Sequence, residues 1–64
     1  MIYILLPAYN EESGIGTLLG KIRAVMTEFR LDYRVVVVDD GSRDRTAAIV
    51  REHAATMPIE LIQH

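Results

Sequence analysis

Five of the nine acidic residues in the chain fall in two short clusters, Glu11-Glu12 and Asp39-Asp40 with Asp44. Each cluster follows an apolar run and precedes a stretch with helical periodicity. In an open α/β sheet, ligands bind beyond the carboxyl ends of the strands, and both clusters belong to loops that end up there. The helix N-termini that follow carry free N–H groups that suit an anion. Acidic side chains compete with a phosphate for those donors. They make better sense as hydrogen-bond acceptors for a base and a ribose, with phosphates bound elsewhere. Asp40 is the residue assigned to that work, because two adjacent carboxylates after a buried strand repel each other and one cap would have sufficed for structure. Asp39 takes the structural task of tying the turn through backbone N–H groups. For Glu11, Glu12 and Asp44 the alternative reading is that they only complement helix dipoles. Tyr9 either stacks and hydrogen-bonds at the ligand face or packs on the sheet rim.

Other chemistries lack their residues. Asp-x-Asp spacing does not occur, so no dedicated metal site is expected within the chain. Ser13 and Ser42 read as caps, and no histidine is expected near either. His53 falls mid-helix on a mostly polar face as a surface histidine and His64 is terminal, so no catalytic residue is assigned. Gly14, Gly16 and Gly20 contain G-x-G but lack the third glycine at dinucleotide spacing, and they fall inside a helical stretch. They are expected to let that helix press close to the sheet, at a cost of up to about 1 kcal/mol each relative to alanine. No P-loop pattern is present.

The elements that position the two clusters follow from periodicity. Ile2-Tyr3-Ile4-Leu5-Leu6, stopped by Pro7, is nearly continuous in apolar residues, as a parallel strand buried on both faces is. After Asn10, a candidate N-cap, the apolar positions are Ile15, Leu18, Leu19, Ile22, Val25, Met26 and Phe29, which trace one helical face. Arg34-Val35-Val36-Val37-Val38 is a second, β-branched strand, ended by the turn residues Asp39-Asp40-Gly41-Ser42. Ser42 is placed to cap a second helix over 43–56, with Ala47, Val50, Ala54 and Met57 inside. Pro58 ends it, and Ile59-Glu60-Leu61-Ile62 makes a third strand. The order β-α-β-α-β predicts a parallel sheet in order 3-2-1 with both helices on one face. The other face then has nothing in this chain to cover it. That is a three-layer α/β nucleotide-binding fold cut short.

Composition bounds the rest. The 64 residues allow one small domain, spanning 1–64. There are no cysteines and two histidines, so neither disulfides nor a structural metal are expected to staple it. A net charge of −2 and a pI near 5.5 exclude a nucleic-acid binder that works through a basic patch. No apolar stretch approaches the ~20 residues of a membrane span, and the start lacks the basic segment of a secretory signal. A cysteine-free chain is compatible with a reducing cytosol, and a cytoplasmic location is expected.

Taken together, Leu5-Leu6-Pro7-Ala8-Tyr9-Asn10-Glu11-Glu12 and Val36-Val37-Val38-Asp39-Asp40-Gly41-Ser42-Arg43-Asp44-Arg45-Thr46 resemble the start of a family-two glycosyltransferase. The closer resemblance is to the dolichyl- or polyprenyl-phosphate sugar transferases, and it covers nearly the whole chain. The resemblance implies a GT-A fold that transfers sugar from a UDP- or GDP-linked donor, usually with inversion. It places Pro7, Tyr9 and Glu11 against the donor, with Val38 and Asp40 at the second strand end, where the carboxylate reads the base. Asp39, Gly41, Ser42 and Asp44 match as turn and cap residues. It also implies a divalent cation, Mg or Mn, with its Asp-x-Asp ligands, the catalytic base and the acceptor site all beyond residue 64. The rest of a catalytic domain is then a partner, and the full-length protein works at the cytoplasmic face of a membrane. Two other readings stand beside it. One is a small α/β module with no activity of its own. The other, a phosphoacceptor receiver domain, fits poorly because its acidic pair follows the first strand, whereas here the pair follows the second.

Overall fold

The apolar runs pair as three parallel strands: β1 (Ile2–Ala8), β2 (Tyr33–Asp39) and β3 (Ile59–Gln63). Between them come α1 (Ile15–Glu28) and α2 (Thr46–Ala54). The structure is a computed structural model in which residues 1–63 are described; His64 lies outside them. The strand order is β1-β2-β3, the predicted 3-2-1 order seen from the other edge.

Register explains which side chains meet. Ile4 lies beside Val35 and Leu6 beside Val37 on one side of β2, with Ile59 and Leu61 beside the same valines on the other. On this face Val35 and Val37 are fully buried. Ile15 and Leu19 of α1 and Val50 of α2 join the same cluster, so both helices cover one face. The opposite face stays open: Tyr3 and Leu5 are each 68% exposed and Ile62 is 37% exposed. This is the uncovered face expected from the β-α-β-α-β order: β1 carries apolar residues on both faces, but only one face has a helical layer over it.

Other boundaries differ from expectation for local reasons. Pro7 does not stop β1 but lies within it beside Val38. β1 has a neighbour on one side only, and an edge strand tolerates a residue without an N–H. Only Ile15 and Leu19 of the predicted α1 stripe are buried, while Leu18, Val25 and Phe29 are exposed. Leu18 borders Leu6 and Pro7 at the free edge of β1, where no further strand or helix covers it. The second helix is shorter than 43–56, because residues 43–45 are drawn into the loop described below. Val50 and Met57 are buried as expected, but Ala54 is exposed.

The glycines also do something other than predicted. Gly14 occupies the N-cap position of α1 rather than its interior. A Cβ on Gly16 would stand 3.3 Å from Ile49 Cγ2 and 3.5 Å from His53 Nε2, so the close approach is helix to helix rather than helix to sheet. His53 is accordingly half-buried in the seam between the helices, not a surface histidine. A Cβ on Gly20 would meet nothing within 4 Å.

Candidate functional site

β1 and β2 run parallel, so their carboxyl ends and the loops that follow emerge side by side. The ladder is prolonged there, where Asp40 N–H donates to the Ala8 carbonyl at 3.1 Å. Around this point lies a cleft of about 660 Å³ lined by Pro7, Ala8, Tyr9, Glu11, Val38 and Asp40. The structure thus brings together Pro7, Tyr9, Glu11, Val38 and Asp40, the five residues singled out from sequence as facing a donor, with Ala8 between them. Tyr9 is 58% exposed, leaving its ring free at the mouth.

The neighbouring carboxylates separate by strand parity. Asp39 continues the inward face of β2 and is 2% exposed, whereas Asp40 is exposed at the cleft. The Asp39 carboxylate accepts the Ser42 N–H at 3.0 Å, closing a tight turn over Gly41. Gly41 has φ +78°, which glycine adopts without steric cost.

The two loops are stitched to each other. Asn10, expected to cap the first helix, instead has φ +50° and faces the second loop. Its N–H donates to Ser42 Oγ and its Oδ1 accepts from Arg43 N–H, both at 2.8 Å. The Glu11 carbonyl takes over the cap, accepting from Gly14 N–H and Ile15 N–H. Ser42 therefore does not cap α2 either. The N-cap position of α2 is Arg45, which makes no side-chain cap bond; just before it, Asp44 Oδ1 accepts the Thr46 N–H at 2.9 Å and the Thr46 hydroxyl proton. Thr46 Oγ1 in turn accepts from Glu11 N–H at 2.8 Å, and Asp44 Oδ2 accepts from Glu12 N–H at 3.2 Å.

These donors act on the Asp44 carboxyl. The Thr46 hydroxyl holds it below the usual carboxylate range, opposed by partial desolvation and helped by the backbone N–H groups of Thr46, Glu12 and Asp44 itself. Thr46, fully buried, was given no role from sequence. The signal was present in the Asp44-x-Thr46 spacing, in which a short acid can bond both the N–H and the hydroxyl two residues on.

The arrangement can accept hydrogen bonds from a ligand through Glu11 and Asp40 and offer it a ring and two apolar walls. Among the described residues no three His, Cys, Asp or Glu side chains converge on a point that could hold a metal ion. No helix among them is long and apolar enough to cross a membrane.

An open parallel sheet with a cleft at the carboxyl ends of its strands is the architecture of α/β ligand-binding domains. Residues 3–64 match the family description "Glycosyl transferase family 2". The chain belongs to that family. It is 41% identical over 56 residues to an undecaprenyl-phosphate 4-deoxy-4-formamido-L-arabinose transferase of Pseudomonas fluorescens, covering 88% of this chain and 16% of the relative. A protein of the same name from Aeromonas hydrophila is 31% identical over 62 residues, covering 97% and 19%. A Bacillus subtilis protein named "Uncharacterized glycosyltransferase YkcC" is 38% identical over 55 residues, covering 86% and 17%. The chain thus spans less than a fifth of the length of these curated relatives.

Proposed function

We propose that this chain, residues 1–64, forms the nucleotide-binding half of a GT-A sugar-transferase domain and takes a UDP- or GDP-linked sugar. The whole protein transfers that sugar to a polyprenyl phosphate at the cytoplasmic face of a membrane. The observation that carries the reading is the cleft, where Pro7, Tyr9, Glu11, Val38 and Asp40 converge from two neighbouring strand ends and the loops that follow, with Ala8 between them. In this reading Tyr9 stacks on the base, Pro7 and Val38 flank it, and Asp40 accepts a ring N–H. Uracil and guanine both carry such a donor beside a carbonyl, and adenine does not. The relatives' names, which specify undecaprenyl-phosphate transferases, support the lipid-linked acceptor.

The phosphates belong away from the loop that precedes α1. The N–H groups of Asn10, Glu11 and Glu12 are already taken by Ser42, Thr46 and Asp44. A divalent cation, Mg or Mn, is part of the same reading. The described side chains do not make a site for it, so its ligands are assigned to the rest of the catalytic domain and no step is derived through it. The test is calorimetric titration of the full-length protein with UDP, GDP and ADP. Binding of UDP or GDP in preference to ADP is expected; equal binding of all three, or of none, refutes the assignment.

A further inference from the structure

We propose that Thr46 and Asn10 are positioning residues for the donor cleft, setting the loop after β1 against the loop after β2 although neither lines the cleft. The inference rests on the nucleotide reading above. Residues 9–14 belong to no strand or helix, so Tyr9 and Glu11 have no element of their own to fix them. The Glu11 carbonyl ties this loop to the start of α1, and what sets it against the opposite wall comes from across the cleft. Asn10 holds a left-handed backbone conformation, which asparagine tolerates better than most residues. It is kept there by bonds to Ser42 and Arg43 on the opposite loop.

Thr46 supplies the second clamp. It is the first residue of α2 and fully buried, so its hydroxyl is held by a rigid element. That hydroxyl gives its proton to Asp44 and accepts from Glu11 N–H, placing Glu11 through its backbone. A charged acceptor strengthens the first bond, and a polarised hydroxyl is a better acceptor for the second. Asp44 also takes Glu12 N–H, so the Asp44–Thr46 pair fixes two successive residues of the first loop. The cleft walls thus meet with their separation already set, which removes an ordering cost that a ligand touching both loops would otherwise bear.

The test compares the full-length parent protein with Thr46→Val, Thr46→Ser and Asn10→Gly. Thr46→Val keeps the shape and loses the hydroxyl; Thr46→Ser restores it. Asn10→Gly keeps the positive φ and loses the side-chain acceptor. UDP and GDP affinities are measured by calorimetry, with hydrogen exchange at the Glu11 amide alongside. Thr46→Val and Asn10→Gly should each weaken binding roughly three- to tenfold, as loss of one hydrogen bond does, with Thr46→Ser within about twofold of the parent. Glu11 exchange should quicken in Thr46→Val alone. Should Thr46→Val fail to fold, Asn10→Gly decides the matter. If the parent binds a nucleotide and the folded variants bind it as tightly, the positioning role is wrong and the nucleotide reading stands. If the parent binds neither nucleotide, the nucleotide reading falls and this inference falls with it.

Discussion

The adjacent carboxylates Asp39 and Asp40 offer the sharpest separation of folding from binding. Asp40 is exposed and lines the cleft, and its side chain makes no hydrogen bond among the described residues. Replacing it with asparagine should therefore change stability by no more than about 0.5 kcal/mol, the usual range for a surface site. If it accepts a ring N–H from a base, the same change swaps the charged acceptor for a neutral amide oxygen, which should weaken that bond by roughly 0.5–1.5 kcal/mol, or about two- to tenfold in affinity. The lower end is the better expectation, since an exposed carboxylate is partly screened by solvent. Asp39 is the inverse case. It is 2% exposed and its acceptor closes the turn on Ser42 N–H, so Asp39→Ala leaves that donor without its partner. The cost should be about 1–3 kcal/mol of stability, with the effect on affinity secondary to it. Urea denaturation and calorimetric titration of UDP and GDP, on the full-length protein and both variants, read the two effects separately. If Asp40→Asn binds nucleotide as tightly as the parent, the base-reading role of Asp40 is wrong.

The remaining predictions concern stability and pH. Leu19→Ala should cost about 2–5 kcal/mol, because the side chain is fully buried; Thr17→Ala, on the outer face of α1, should stay within about 0.5 kcal/mol by denaturant titration. Gly20→Ala should stabilise the protein by up to about 1 kcal/mol, since a Cβ there meets nothing within 4 Å. Gly16→Ala should gain less, because Ile49 and His53 must give way, and a larger gain at Gly16 than at Gly20 would contradict the observed helix seam. For Asp44 the folded pKa is depressed, so its contribution is present above the unfolded value near pH 4 and is lost as pH falls through the folded value. Melting temperatures between about pH 2 and 6 should fall less steeply in Asp44→Asn than in the parent below about pH 4; parallel curves would refute the linkage.

Much of this fold was legible from residue types alone, and the misreadings share a cause. Runs such as Val35–Val38 report strand character and burial through β-branching, and the β-α-β-α-β order then constrains the sheet topology. The five cleft residues were legible because strand-end loops in a parallel sheet converge wherever the strands pair. Periodicity marks which α1 residues are apolar, but not how wide a surface lies beneath them. Leu18, Val25 and Phe29 were therefore expected inside, although the sheet ends at β1. Capping was misread at Asn10 and Ser42 because local rules consider only bonds within a few residues. The actual partners are 32 and 33 positions apart, and only tertiary structure brings them together. Thr46 escaped for the same reason, since its bond to Glu11 spans 35 residues.

One period-two pattern builds both the core and the cleft. Val35, Val37 and Asp39 face the helices, while Val36, Val38 and Asp40 take the other side. On β1, Ile4, Leu6 and Ala8 turn inward and Tyr3, Leu5 and Pro7 turn outward, in the same register. Pro7 and Val38, neighbours across the ladder, are therefore at once the upper end of the open face and part of the cleft lining. A one-residue slip of β2 against β1 would put the Asp40 side in the core and the Asp39 side in the cleft, exchanging a solvated carboxylate for a buried one. The valines oppose that slip because it would also expose Val35 and Val37, both fully buried in the observed register. The apolar alternation that secures the fold is thus also what holds the Asp40 carboxylate at the cleft, and it does so without any contact to a ligand.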